Sequence, residues 1–334
     1  MPKRSIIPVF VPHLGCPNDC VFCNQRRISG ALTPATADTV HQAVEYALHN
    51  IPTDRERELA FYGGSFTAIP AEEQESLLGA AYDHIKSGEI AAIRLSTRPD
   101  CIDGAVLDRL KRYGVETVEL GVQSMCPDVL AASNRGHTAE DAENSAKAVK
   151  NAGFKLILQM MTGLPLDTPE KSEYTARRLC DLHPDGVRIY PTVIIKDTRL
   201  YDMWQSGEYR EHTVDDAAEL CARLLDIFDG AGIPVIRLGL NPTDELSSGS
   251  AAGGAYHPAF GEIVMSKRYL MKAESLLADH KSNTVTLGVA KGEMSKMIGQ
   301  NRRNIDALRA KLGFEDIKIR ETDINKGEIV ILRL

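Results

Sequence analysis

The sequence predicts an α/β protein, either a β/α barrel or a doubly wound sheet, followed by a small C-terminal α+β module. Three observations carry this. Seven short apolar runs alternate with helical patterns along the first 240 residues. The successive β-then-α units are about 25 to 45 residues long, as strand plus crossover helix requires. Residues 281–334 change pattern, to strand, short helix, turn, helix, strand and closing strand.

The strands are expected at 5–11, 58–64, 92–98, 115–122, 154–161, 186–192 and 233–240. They read mostly as continuous apolar segments buried on both faces of a parallel sheet. Thr33-Pro34 and Thr168-Pro169 are helix-start signals, and Gly114 and Gly153 stand where helices should stop. Val40, Ala43, Val44, Ala47 and Leu48 form one apolar stripe, which is core packing. Residues 241–261 are small and polar and are expected as a mobile loop, with a connecting helix near 262–280. The expected organisation is therefore a barrel over 1–240, a loop and connecting helix over 241–280, and the module over 281–334. In a barrel, functional residues gather at the carboxyl ends of strands. The cysteines follow strand one there, and GGSF, TRPD, GVQS, TGLP and PT follow strands two to six.

At 334 residues and 43% apolar content the chain can fill a core. No apolar run approaches the roughly 18 residues of a membrane span, and three prolines break the opening MPKRSIIPVFVPHLG, which reads as neither span nor signal peptide. The cytoplasm is the expected location, with no membrane partner. Seven cysteines, an odd number, argue for reduced thiols over a disulfide framework. Cys101, Cys126, Cys180 and Cys221 are scattered and read as small buried hydrophobes. The net charge of -7 is unevenly spread. Residues 281–334 hold 11 Lys and Arg against 7 Asp and Glu, a net of +4 that leaves -11 elsewhere. A locally basic tail permits a nucleic-acid partner without requiring one.

Cys16, Cys20 and Cys23 stand in C-x-x-x-C-x-x-C spacing. Cysteine zinc sites usually show two separated pairs and four ligands, so zinc fits less well. A 4Fe-4S cluster on three thiolates leaves one iron open to a small molecule. The triplet, with Phe22 before its last cysteine, resembles the cluster loop of the radical S-adenosylmethionine (SAM) superfamily. That resemblance implies a partial (β/α)6-type barrel, a 4Fe-4S cluster on the three cysteines, and SAM chelated at the open iron. It also implies reductive cleavage to a 5′-deoxyadenosyl radical that abstracts hydrogen. Tyr62–Phe66, YGGSF, sits where the family's second-strand glycine motif should be. Gly63, Gly64 and Ser65 would then meet the methionine amino group, since glycine lets backbone approach a ligand closely.

Six further segments follow in order: STRPD (96–100), VELGVQS (118–124), NRGHT (134–138), GLP (163–165), IYPT (189–192) and LYDMW…GEY (200–209). From about residue 5 to about 240 the succession resembles the catalytic subunit of the Elongator complex, a radical-SAM barrel that binds tRNA. By that resemblance Arg135 would pair with the methionine carboxylate, a role for a planar bidentate donor. Gln123 and Gln159 would line the adenosine pocket, or make structural hydrogen bonds in the barrel mouth. Glu119 would bind the ribose hydroxyls or form a structural ion pair. Elongator subunits continue into an acetyltransferase domain, which nothing in this sequence matches, so the complete carboxymethylation reaction is not expected of it.

In the tail, residues 297–313 resemble the core of a KH domain, whose Ile-Gly-x-x-Gly-x-x-Ile turn clamps a nucleic-acid backbone. Ile298, Gly299 and Ile305 match, while Arg302 replaces the second glycine. Lys296, Gly299, Arg302 and Arg303 are the candidate RNA contacts, mainly to phosphate, since only Phe314 offers an aromatic ring nearby.

The leading reading is a radical-SAM enzyme acting on RNA, with tRNA as substrate and an external electron donor such as flavodoxin or ferredoxin. Two alternatives stay open: a small-molecule enzyme like the coproporphyrinogen oxidases, and an RNA-binding protein with structural zinc. His13, Tyr190 and His257 are weak candidates for a catalytic hydrogen or proton donor.

Overall fold

The computed structural model describes residues 4–11, 16, 19–24, 34–52, 54–240, 249–280 and 282–333. The chain forms two compact units, one running to His212 and resuming over Ile227–Tyr256, the other Thr213–Asp226 with His257–Leu334.

The first unit is built on one parallel seven-stranded sheet. Its strands are β1 (Arg4–Phe10), β2 (Glu56–Tyr62), β3 (Ala92–Thr97), β4 (Val115–Gln123), β5 (Lys155–Thr162), β6 (Gly186–Pro191) and β8 (Val235–Leu238), paired in that order. All seven expected strands are present, each hydrogen-bonded to its neighbour in sequence. Between them run α1 (Ala37–Asn50), α2 (Ala71–Lys86), α3 (Gly104–Arg112), α4 (Pro127–Ala132), α5 (Ala139–Asn151) and α6 (Pro169–Asp181). The first helix begins later than the sequence suggested. Its cap is Thr36, which exchanges hydrogen bonds with Thr39 in a capping box, while Thr33 lies outside the described residues. Thr168 caps α6 as expected, accepting from the Lys171 N–H, with Pro169 in the first turn. Such a cap contributes about 1 kcal/mol.

On β1 and β4 the two faces of the strand differ in character. On β1, Ile7, Val9 and Val11 are at most 3% exposed, and on β4 Val118, Leu120 and Val122 are fully buried. The opposite faces present Arg4, Ile6, Pro8 and Phe10, and Glu119, Gly121 and Gln123, to one shared cavity. The strands are therefore not apolar on both faces, as the sequence reading held. The sheet curls around a polar interior, and β1 and β8 are its two ends.

Part of the expected mobile loop is ordered structure: β9 (Ala251–Gly254) pairs antiparallel with β7 (Val193–Ile195). Gly254 makes this possible. It has φ of 82°, and a Cβ there would stand 2.6 Å from Thr192 O. Residues 241–248 of that loop lie outside the described residues. After β7, α7 (Arg199–Gln205) and α8 (Val214–Gly230) complete the path to β8.

The second unit holds α9 (Phe260–Leu277), β10 (Thr284–Ala290), α10 (Met294–Ile298), α11 (Arg303–Leu312), β11 (Asp316–Thr322) and β12 (Ile329–Arg333). β10 is central, parallel to β11 and antiparallel to β12. The order read from the sequence holds. The helix expected as a connector joins this unit's core, where Tyr269, Ala273 and Leu277 pack against Val285, Leu287 and Leu308.

Candidate active site

A cavity of about 830 Å³ occupies the inner face of the curled sheet. Cys16, Cys20 and Cys23 line it, as do Gly63, Gly64, Ser65, Gln123 and Arg135. Segments more than 100 residues apart in sequence thus meet in one place.

The cysteine loop is held from both sides by backbone and apolar contacts. Val21 N–H donates to Ser133 O at 3.1 Å, and Leu200 N–H donates to Val21 O at 2.8 Å. Asn134 Nδ2 donates to Asp19 O at 2.7 Å. Phe22 packs into two separate apolar groups, one of Val21, Ile194, Leu200 and Tyr209, the other of Cys126, Val129 and Leu164. A single aromatic ring therefore ties the loop to β7, α7 and α4.

Arg135 reaches the same loop. Its Nη1 donates to Cys20 Sγ at 3.4 Å and its Nη2 to Gly121 O at 2.6 Å. Gly121 is what leaves room, because a Cβ there would stand 2.8 Å from Arg135 Nη2 and 3.0 Å from Gln123 Nε2. Burial pushes the Cys16 thiol pKa up, although Cys16 keeps solvent access. The Ser65 N–H and the Arg135 and Arg98 guanidinium groups oppose that shift. Arg98 is 2% exposed and is locked by two bonds to Asp100, at 2.9 and 2.8 Å. The Ser65 hydroxyl is used within the protein, meeting Thr97 Oγ1 at 3.0 Å and accepting from Arg98 N–H at 3.1 Å.

Three thiols make a soft donor set, of the kind that binds iron–sulfur clusters. They share the cavity without closing on one point, since among the described residues no three metal-ligating side chains converge. Gln123 Oε1 is buried without a hydrogen-bond partner among the described residues, on a backbone with φ of 68°. An orphaned acceptor in a cavity wall suits a ligand N–H. Gly63, at φ of 99°, occupies backbone space that side chains avoid. These features fit the small molecule expected beside the cluster.

Glu119 resolves differently from the ligand reading. It is fully buried, and Oε1 accepts from Arg94 Nη1 (2.9 Å), Arg188 Nη2 (2.8 Å) and Tyr62 Oη (3.2 Å). Oε2 accepts from Gln159 Nε2 at 2.9 Å. The carboxylate is satisfied by the protein, so the structural ion pair accounts for it, and Gln159 is partly spent on holding it. Tyr190 lines the cavity and its hydroxyl accepts from Arg188 Nη1 at 3.4 Å. His257 instead accepts from Ala259 N–H at 3.0 Å within its own turn, a local structural role. His13 lies outside the described residues.

Sequence reasoning missed Glu58, Tyr62, Arg94, Arg188 and Arg237, all on the cavity wall. The signal was period two: Arg94-x-Ser96-x-Arg98, Arg188-x-Tyr190 and Glu119-x-Gly121-x-Gln123 each place polar or small residues on one face of an otherwise apolar strand.

Against this geometry, the family model described as the radical SAM superfamily matches residues 10–179, just over half the chain. The chain belongs to the radical SAM superfamily. A second model, the radical SAM C-terminal domain, matches residues 184–272. The superfamily's 4Fe-4S cluster and SAM are therefore the cofactors of this enzyme. Elongator complex protein 3 of Mus musculus is 34% identical over 190 residues, covering 50% of this chain and 34% of that protein. The tRNA uridine(34) acetyltransferase of Methanocaldococcus infernus is 30% identical over 189 residues, covering 51% of this chain and 35% of that one. The chain thus spans about a third of the length of these curated relatives. The structure of the archaeal Methanocaldococcus infernus Elp3 superposes with a TM-score of 0.64 at 22% identity, over 84% of this chain and 64% of that one, a likeness of fold.

In the second unit, the turn between α10 and α11 carries the remaining candidates. Gly299 has φ of 76°, and a Cβ there would stand 2.9 Å from the Asn304 side chain. Asn304 Nδ2 clamps the turn by donating to Met297 O at 3.1 Å and Lys296 O at 3.2 Å. Asn301 and Arg302 are left-handed, at φ of 52° and 62°. A non-glycine residue there costs about 1–2 kcal/mol. Arg302 therefore stands in a glycine-like conformation where a KH turn has its second glycine. Arg302 and Arg303 are exposed with no carboxylate partner among the described residues, whereas Lys296 is paired with the buried Glu293 at 2.9 Å.

Proposed function

We propose that this radical SAM enzyme modifies RNA, with tRNA as its substrate. The observation that carries the proposal is the KH-like turn, where exposed Arg302 sits on a strained left-handed backbone and exposed Arg303 opens the following helix. Support comes from the Elongator-type relatives, one of them named for tRNA uridine 34.

In this reading Cys16, Cys20 and Cys23 would hold the 4Fe-4S cluster, and Phe22 fixes their loop. Gly63, Gly64 and Ser65 would present backbone to the methionine amino group, and Arg135 would turn its guanidinium to the carboxylate from its place beside Cys20 and Gly121. Gln123 Oε1 accepts from the ligand in the cavity wall. When bound, the cluster and SAM supply one-electron reductive cleavage and hydrogen-atom abstraction. Arg98 and Arg135 place positive charge near Cys16 and oppose the rise that burial imposes on its thiol. Tyr190 would offer its phenol hydrogen at the cavity wall, and an external flavodoxin or ferredoxin would supply the electron, in the cytoplasm. Arg302 and Arg303 would grip RNA phosphate as charge-assisted donors.

The test is 5′-deoxyadenosine formation by the reconstituted enzyme with dithionite and SAM, with and without bulk tRNA. Stimulation by tRNA, and loss of stimulation after ribonuclease treatment, is expected. Turnover indifferent to tRNA would move the substrate to a small molecule.

A further inference from the structure

The cavity extends past the cofactor residues to the open end of the sheet, where its charges do not balance. Arg188 on β6 and Arg237 on β8 are register partners on adjacent strands. Like charges so placed repel unless something neutralises them. Arg188 is neutralised by Glu119 at 2.8 Å. For Arg237 the structure provides only one bond, Nε to Gly239 O at 3.1 Å, and no carboxylate pairs with it among the described residues. Its terminal nitrogens are left to the cavity it lines.

Two further donors lie beside it. The Tyr190 hydroxyl accepts from Arg188, and its own proton has no acceptor among the described residues. Arg188 Nε is buried without a partner among the described residues. Ile236 and Leu240 line the same end and make the surroundings apolar, which strengthens any charge pairing there. Several donors beside a guanidinium with no carboxylate partner among the described residues describe an anion site. Arg237 and Tyr190 lie toward the carboxyl ends of their strands, the side on which α/β sheets bind ligands.

We propose that Arg237 and Tyr190 form a phosphate subsite that takes the backbone phosphate next to the nucleotide presented to the cavity. This rests on the RNA-modifying reading and names the group that would fix the reacting nucleotide. The phosphate is acceptor-rich and planar guanidinium is its natural partner. No bond forms or breaks at this subsite, which acts by positioning.

The experiment is fluorescence-anisotropy binding of a uridine-bearing stem–loop RNA, and separately of uridine monophosphate, to the reconstituted enzyme across a KCl series. Wild type is compared with Arg237→Gln, Arg237→Lys and the Arg302→Gln/Arg303→Gln pair. Removing one cation from a phosphate lowers the slope of log affinity against log salt by about 0.7–0.9. Arg237→Gln is expected to show that reduction with an unchanged thermal midpoint, and Arg237→Lys to retain the slope. Wild-type RNA binding with Arg237→Gln indistinguishable from it would overturn the subsite and leave the RNA reading intact. Absence of salt-dependent RNA binding by wild type would overturn the RNA reading instead. In that event uridine monophosphate decides: loss of its binding in Arg237→Gln retains the site for a free phosphate monoester, and equal binding sinks it.

Discussion

Replacing Glu119 by alanine removes a fully buried carboxylate that two arginines, a tyrosine and a glutamine address at 2.8 to 3.2 Å. The arginine side chains are each only 14% exposed, so the charges left behind cannot rehydrate freely. Two charge-assisted bonds at about 1.5–3 kcal/mol each, with Arg188 left without a carboxylate among the described residues while Arg94 keeps Glu58 at 2.8 Å, give a loss of about 3–5 kcal/mol. For a unit of this size each kcal/mol shifts the thermal midpoint by roughly 2–4 °C, so the transition of the first unit should fall by about 6–20 °C. Glu119→Gln keeps the shape and loses the charge, and should fall by less. Differential scanning fluorimetry on the apo protein, with SAM titrated into the reconstituted enzyme in parallel, reads both possible roles of the residue. A shift under about 2 °C together with a large loss of SAM affinity would refute the ion-pair account and return Glu119 to ligand binding.

Three further outcomes follow from the same geometry. Gly121→Ala pushes a methyl into Arg135 and Gln123, which should cost about 1–3 kcal/mol of overpacking and weaken SAM binding measured by equilibrium dialysis. Burial, reinforced by the neighbouring Arg135, pushes the His137 pKa down to about 4, while its Nε2 donates to Val122 O at 3.1 Å. The unfolded chain binds this proton near pH 6.5 and the folded one does not. Stability should therefore fall as pH drops from about 6.5 toward 4, by up to about 3 kcal/mol. His137→Gln should flatten that part of the urea midpoint–pH profile. Arg302→Gln/Arg303→Gln should lower the salt slope of RNA binding by up to about 2, one for each arginine withdrawn from a phosphate.

The strands of the first unit were legible because β-branched runs bounded by Gly and Pro leave few other conformations, and their ends placed the cysteines and the YGGSF turn correctly. The polar inner face was not, because one Arg or Glu in every second position dilutes into an apolar run. Which strands bring Tyr62, Arg94, Glu119 and Arg188 together depends on curl and register, which are long-range properties. β9 was hidden for a different reason: Ala251–Gly254 has no strand propensity, and it pairs because Gly254 lets the backbone approach Thr192. His257 looked reactive in a polar loop, yet its imidazole is used by the turn that leads into α9. The tail's order of elements was legible from periodicity, while the left-handed backbone of Asn301 and Arg302 was not, since neither residue type announces it.

The most direct test of the central claim is anaerobic reconstitution with iron and sulfide, followed by a 5′-deoxyadenosine assay with SAM and dithionite, comparing the wild-type chain with Cys20→Ala. The account predicts a brown protein that forms 5′-deoxyadenosine, and a Cys20→Ala variant that forms none. A colourless protein that binds zinc and forms no 5′-deoxyadenosine, or product that persists without Cys20, would contradict it.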